Sequence, residues 1–200
     1  MIKKLAIVLA IVVAVILVIA GVGYYLVTRP SDVEQQAASV GVSDEAAQSA
    51  QEKIDDFTTQ LSTAPEGEVL SLTLTDEEVT SGIVRELKFG DQALPLDVQN
   101  PRIMFVQDKI MASGDITVSG FQTNIAIEAE AQAENNQLKL KINQLSLGKL
   151  PLPDALVNKI KEGLIPGDEI IIDMSEMDIP INLENISIVD GSIVLTGTAR

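Results

Sequence analysis

Residues Phe121–Leu147 read FQTNIAIEAEAQAENNQLKLKINQLSL. Phe121, Thr123, Ile125, Ile127, Ala129, Ala131 and Ala133 fall on every second position, with Gln122, Asn124, Glu128 and Glu130 between them. That period belongs to a strand with one dry face and one wet face. Asn135-Asn136 follows, and two asparagines that tolerate positive φ make a two-residue hairpin turn. The turn sets a register that its chemistry supports: Ala131 falls opposite Leu140, Ala129 opposite Ile142, and Glu130 opposite Lys141. Apolar meets apolar and opposite charges meet, as cross-strand pairs prefer. The apolar phase then slips between Ile142 and Leu145, which predicts a bulge or bend.

Upstream, Ile110, Ala112, Gly114, Ile116 and Val118 share one face of a strand, with Ser113, Asp115 and Thr117 on its opposite face. Downstream, Glu169–Asp173 and Asn185–Thr198 return to strand patterns, the latter a hairpin about Asp190-Gly191. Ile103–Gly114 (IMFVQDKIMASG) aligns without a gap on Ile186–Gly197 (ISIVDGSIVLTG), pairing Ile103 with Ile186, Val106 with Val189, Ile110 with Ile193 and Gly114 with Gly197. Two hairpins of one style are expected there.

Helical periods lie before and after these strands. Ser43 caps a helix whose first turn holds Asp44 and Glu45, with Ala47, Ala50, Ile54, Phe57 and Leu61 as its apolar stripe. Glu68–Thr75 alternates Leu70, Leu72 and Leu74 as a strand. Thr75-Asp76-Glu77-Glu78 is a capping box that starts a second helix at once, carrying Val79, Ile83, Val84 and Leu87. Lys88–Asn100 reads as a loop or edge segment, and Pro153-Asp154 opens a further helix with Leu156, Val157, Ile160 and Leu164. The expected class is α+β: a bent antiparallel sheet packed against two or three amphipathic helices.

Leu5–Val27 contains 23 residues without a charge. About 20 suffice to cross a bilayer core, and cleaved signal segments carry apolar runs of about 7–15. The run is expected to be a retained transmembrane anchor. Lys3 and Lys4 precede it and Asp32 and Glu34 follow Arg29, which places the N-terminus in the cytoplasm and the rest outside. The expected organisation is an anchor at 1–29, a polar linker at 30–42 and an extracytoplasmic domain at 43–200, on a single-pass protein of the cell membrane.

Residues 30–200 hold 11 basic and 29 acidic groups, a formal charge of −18. Such a chain does not bind nucleic acid through its phosphates. It has no histidine, cysteine or tryptophan, which excludes Ser-His-Asp and Cys-His machinery and the usual zinc ligands. Acids crowd the C-terminal part at Asp168, Glu169, Asp173, Glu176, Asp178, Glu184 and Asp190, without the spacing of a calcium loop. A solvated face is the better reading. Asp173 and Glu176 could serve as a hydrolase pair, but carboxylates alone are unspecific. No cofactor and no metal are expected.

What remains is apolar surface. The inward face grades from Phe121 and Ile125 to alanines, leaving room that amphipathic helices fill or an acyl chain occupies. On the residues Leu72–Val79 (LTLTDEEV), the turn Gly148–Pro153 (GKLPLP), the closing Leu195-Thr196-Gly197 and the uncleaved N-terminal helix, the chain resembles the YpmS-like bacterial membrane-anchored proteins. Thr80 stands where those proteins often carry Asn. More distantly it is similar to the LmeA-type envelope proteins, whose fold is like one half of the tubular lipid-binding domains. The resemblance implies binding of an acyl-bearing envelope lipid or lipid-linked precursor rather than catalysis. The candidate lining is Ile116, Val118, Phe121, Ile125, Ile127, Leu138, Leu140 and Ile142. The alternative is a structural or regulatory ectodomain that binds another envelope protein through a sheet edge or the Ala47–Leu61 helix.

Overall fold

A computed structural model describes residues 25–26, 29–89, 98–118, 120–151, 169–175 and 180–200. The elements are α1 (Asp32–Ala37), α2 (Asp44–Thr63), β1 (Val69–Thr75), α3 (Asp76–Phe89), β2 (Gln99–Val106), β3 (Lys109–Val118), β4 (Phe121–Glu134), β5 (Gln137–Leu147), β6 (Leu150–Pro151), β7 (Glu169–Asp173), β8 (Ile181–Val189) and β9 (Ser192–Ala199). The class is α+β, as expected, but the strands form two antiparallel sheets instead of one bent sheet. One runs β1-β9-β8; the other runs β2-β3-β4-β5-β6, with β7 also paired to β5. The difference comes from β1. Its partner β9 lies more than a hundred residues downstream, Val69 facing Thr198 and Thr75 facing Ser192, and strand periodicity carries no information about so distant a partner.

The β4–β5 hairpin has the register its sequence predicts: Ala131 faces Leu140, Glu130 faces Lys141 and Ala129 faces Ile142. Both turn asparagines have positive φ, 52° and 61°. The expected bulge is at Asn143, the extra residue between the pairs Ala129–Ile142 and Glu128–Gln144. Beyond it Leu145 and Leu147 return to the dry face, opposite Ile127 and Ile125.

The aligned segments do share a structure. Ile103 pairs with Ala112 about the Gln107-Asp108 turn, and Ile186 pairs with Leu195 about Asp190-Gly191, at matching offsets. Each ends on a glycine whose site has no room for a Cβ. At Gly197 that atom would lie 2.5 Å from the Asn182 carbonyl oxygen, and at Gly114 2.5 Å from Val98 Cγ1. The two turns also meet. The Gly191 N–H donates to the Phe105 carbonyl (2.9 Å) and the Gln107 N–H to Asp190 Oδ1 (3.1 Å). At the neighbouring turn the Leu183 N–H donates to Asn136 Oδ1 (2.7 Å). The tips of β2–β3 and β4–β5 are thereby tied to β8, which packs against β4 and β2.

Ser43 caps α2 by accepting the Ala46 N–H at 3.1 Å. Four residues of its stripe, Ala47, Ala50, Phe57 and Leu61, are buried. Phe57 and Leu61 join Leu72, Ile181 and Ala199 in a core between α2 and the three-stranded sheet. α3 opens with the capping box: the Thr75 N–H donates to Glu78 Oε2 (2.9 Å) and the Glu78 N–H to Thr75 Oγ1 (3.2 Å). Glu78 also accepts from Ser49 (2.6 Å) and pairs with Lys53 (2.7 Å), which ties α3 to α2. The stretch expected as a linker contains α1, capped by Ser31 (3.0 Å to the Glu34 N–H), with Ala37 and Val40 buried. Its small residues pack closely on the sheet, where composition alone suggested a tether. Helix 153–164 and, apart from Tyr25 and Leu26, the anchor Leu5–Val27 lie outside the described residues; among the described residues no helix is long and apolar enough to cross a membrane.

Burial opposes ionisation of Glu78, yet the hydrogen bonds from Lys53, Ser49 and the Thr75 N–H outweigh it and lower its pKa from 4.5 to about 2. A carboxyl that binds its proton less tightly in the folded state stabilises the fold fully above about pH 5, and that contribution is lost as pH falls toward 2. At about 1.36 kcal/mol per unit the ceiling is about 3 kcal/mol, and solvent around the half-exposed Lys53 ammonium reduces it to roughly 2. Glu78→Gln keeps the capping box and removes the charge. We expect its unfolding free energy to change less than the wild type's across that acid window, and its stability at neutral pH to fall by roughly 2 kcal/mol, measured by chemical denaturation at each pH.

Candidate functional site

The dry face of the six-stranded sheet is built across three strands. Gly114, Ile125 and Leu147 lie in one row, Ala112, Ile127 and Leu145 in the next, then Ile110, Ala129 and Ile142. Below them Ala131 faces Leu140 and Ala133 faces Leu138, and those two leucines face Ile170 and Ile172 of β7. Five candidate lining residues, Ile125, Ile127, Leu138, Leu140 and Ile142, are thus neighbours on one face, and all five are only half-buried. Ile116 is on this face at the far end of β3, opposite Thr123, and is fully buried. Val118 and Phe121 pair at the β3–β4 turn, and their side chains lie outside the description.

Small residues stand beside branched ones on this face: Gly114 and Ala112 of β3 are paired with Ile125 and Ile127, and Ala129, Ala131 and Ala133 of β4 with Ile142, Leu140 and Leu138. Leu145 and Leu147 belong to it and were not among the candidates. Their signal was the phase slip itself, since a one-residue bulge returns alternate residues to the original face.

The N-terminal segment docks at the end of this sheet remote from β8. Leu26 accepts the Lys149 N–H at 2.9 Å, and the Ser31 hydroxyl donates to Asn124 Oδ1 at 3.3 Å. Asn124 is held in turn by donating to the Gly114 carbonyl at 3.1 Å. Glu34 enters the same corner on the face that alternation predicts to be wet, but here α1 packs against it and Ser113, Asn124, Ala126 and Ser146 are buried. Burial first, and the neighbouring Asp115 carboxylate second, raise its pKa above the usual value.

A second concavity lies between α2 and α3, a groove of about 550 Å³ lined by Ala47, Ala50, Ile54, Leu74, Val79, Gly82, Ile83 and Leu87 together with Gln51, Glu78, Arg85 and Glu86. Ile54, a member of the α2 stripe, is 39% exposed at its mouth. Ala47, Ala50 and Gly82 leave the space. The stripe was legible in the sequence; the groove was not, because it depends on how far apart the helices sit.

On the acid-rich side, Asp173 accepts from the Ser175 N–H (2.8 Å), the Ser175 hydroxyl and Gln137 (3.2 Å), contacts that hold its carboxyl below the usual range. Glu176 lies outside the described residues, so the suggested pair has no geometry to report. Among the described residues no three acids converge as metal ligands. Comparison with known proteins finds no match among family models, curated proteins or solved structures.

Proposed function

We propose that this is a membrane-anchored extracytoplasmic protein, without enzymatic activity, that holds an acyl chain of an envelope lipid or lipid-linked precursor against the dry face of the six-stranded sheet. The observation that carries the reading is the continuous apolar face of β3, β4 and β5, half-exposed at Ile125, Ile127, Leu138, Leu140 and Ile142. Covering such a face gains about 0.8 kcal/mol per buried methylene. The docking of Leu26 and Ser31 at one end of the sheet supports it further, because an anchor at residues 5–27 would hold that end next to the bilayer and its lipids at high effective concentration. The resemblance to YpmS-like and LmeA-type proteins points the same way. The net negative charge of the domain disfavours contact with anionic headgroups, so the acyl chain supplies the binding energy.

The test is native mass spectrometry of the full chain purified from bacterial membranes in mild detergent. A bound lipid is expected to survive release from the micelle. Ile125→Asp and Ile127→Asp place a charge in the apolar face and should reduce retained lipid at least about tenfold. Ala131→Leu adds bulk beside Leu140 without adding charge and should have the same direction of effect. Lipid-free wild-type protein, or lipid retained equally by all three variants with unchanged circular dichroism, would sink the proposal.

The groove between α2 and α3, with Ile54 exposed at its mouth, favours a second reading, an ectodomain that binds another envelope protein through the Ala47–Leu61 helix. A cross-link from position 54 to an envelope protein, lost in Ile83→Glu, would promote it over lipid binding.

A further inference from the structure

The six-stranded sheet treats its two edges differently. At β2 the edge is closed by α3, whose Thr80 hydroxyl donates to the Ile103 carbonyl (3.1 Å) and accepts the Ile103 N–H (2.9 Å). At β7 the inner side pairs with β5 from Gln137–Asp173 to Lys141–Glu169, and among the described residues no strand pairs with the outer side. β7 reads EIIID, and its isoleucines are exposed: 36% at Ile170, 54% at Ile171 and 36% at Ile172. Natural edges are blunted by lysine, proline or a bulge; this one has none of them, and only its two ends are charged.

We propose that the outer edge of β7 receives an extended segment of a partner protein as an added antiparallel strand, apolar in its middle and basic at its ends. Strand addition supplies main-chain hydrogen bonds for affinity and alternate side chains for specificity. The charges choose the occupant. A second copy of β7, paired antiparallel about Ile171, would set Glu169 opposite Asp173 at both ends, and like charges directly opposite destabilise a pair. A lysine or arginine at each end meets those acids instead. The inner side is paired this way in part: β5 offers Leu138 and Leu140 to Ile172 and Ile170 and Lys141 to Glu169, with Lys139 opposite Ile171 and Gln137 opposite Asp173. The −18 charge of residues 30–200 adds long-range attraction for a basic segment. This inference is independent of the lipid reading, because Ile171 is on the wet side of the strand, in register with Lys139.

The probe is a fluorescein-labelled KVTVK peptide, whose lysines fall opposite Asp173 and Glu169 when its threonine faces Ile171, with the acid-flanked EVTVE as its twin, titrated by anisotropy against the full chain in detergent. The basic peptide should bind at least about tenfold more tightly than the acidic one and should protect the amides of residues 169–173 from hydrogen exchange. Ile171→Lys should abolish both effects, while Ile171→Thr, a good strand former without charge, should keep them. Equal affinity for the two peptides, or binding without protection at 169–173, would overturn the proposal. So would a dimer of the free chain in sedimentation that Ile171→Lys dissolves.

Discussion

Phe105→Ala is expected to destabilise the protein by about 3–5 kcal/mol, the range for truncating a fully buried aromatic, and to lower its melting temperature by roughly 10 °C. Phe105 is 2% exposed and belongs to the dry face of β2, opposite Ile110. Its carbonyl accepts the Gly191 N–H at the point where the two hairpin turns meet. On the facing strand β8, Leu183 and Ile188 are also buried. The residue therefore stands where the two sheets are joined, and the cavity left by its ring falls in that joint. Calorimetry gives the magnitude. Hydrogen exchange gives the place: amides of β8 and β9 should lose protection before those of the β4–β5 hairpin, which is closed by its own ladder. Uniform loss across both sheets would show that they unfold as one unit and that Phe105 holds no separable joint.

Local patterns in the chain were legible to the extent that their causes are local. The Asn135-Asn136 turn, the register it sets and the bulge at Asn143 follow from side-chain alternation over a few residues, and all three are present. The Thr75–Glu78 capping box is present for the same reason. The pairing of β1 with β9 is a contact between distant segments, and each strand alone would suit several neighbours. α1 escaped because Asp32–Ala37 is too short to show a period. For the site, alternation assigned Ile125, Ile127, Leu138, Leu140 and Ile142 to one face correctly. The degree of cover over that face is a matter of how the layers stack, and no single-segment pattern encodes it.

Thr80→Val is the most informative substitution at the opposite edge. The hydroxyl of Thr80, 1% exposed, is donor and acceptor at once, and it satisfies both outward-facing groups of Ile103 as a neighbouring strand would. Valine has the same shape and offers neither function, so a backbone N–H and a carbonyl lose their partner beneath a helix that excludes water. Each such group costs about 1–3 kcal/mol, and we expect a loss of about 2–4 kcal/mol by urea denaturation, large for a change of one atom. Thr80→Ser keeps the hydroxyl, gives up a methyl, and should cost about 1 kcal/mol. The pair of variants separates hydrogen bonding from packing: if serine is as damaging as valine, Thr80 acts through its methyl group and the edge is closed by α3's bulk alone. A second consequence follows from edge chemistry. With Ile103 unsatisfied, α3 is held to β2 less firmly and the strand gains an open ladder, the template on which chains aggregate. Thr80→Val should therefore form soluble oligomers on mild heating, below its own melting temperature, while Thr80→Ser remains in the wild-type state by light scattering. Aggregation in both variants, or in neither, would assign the protection of this edge to something other than the hydroxyl.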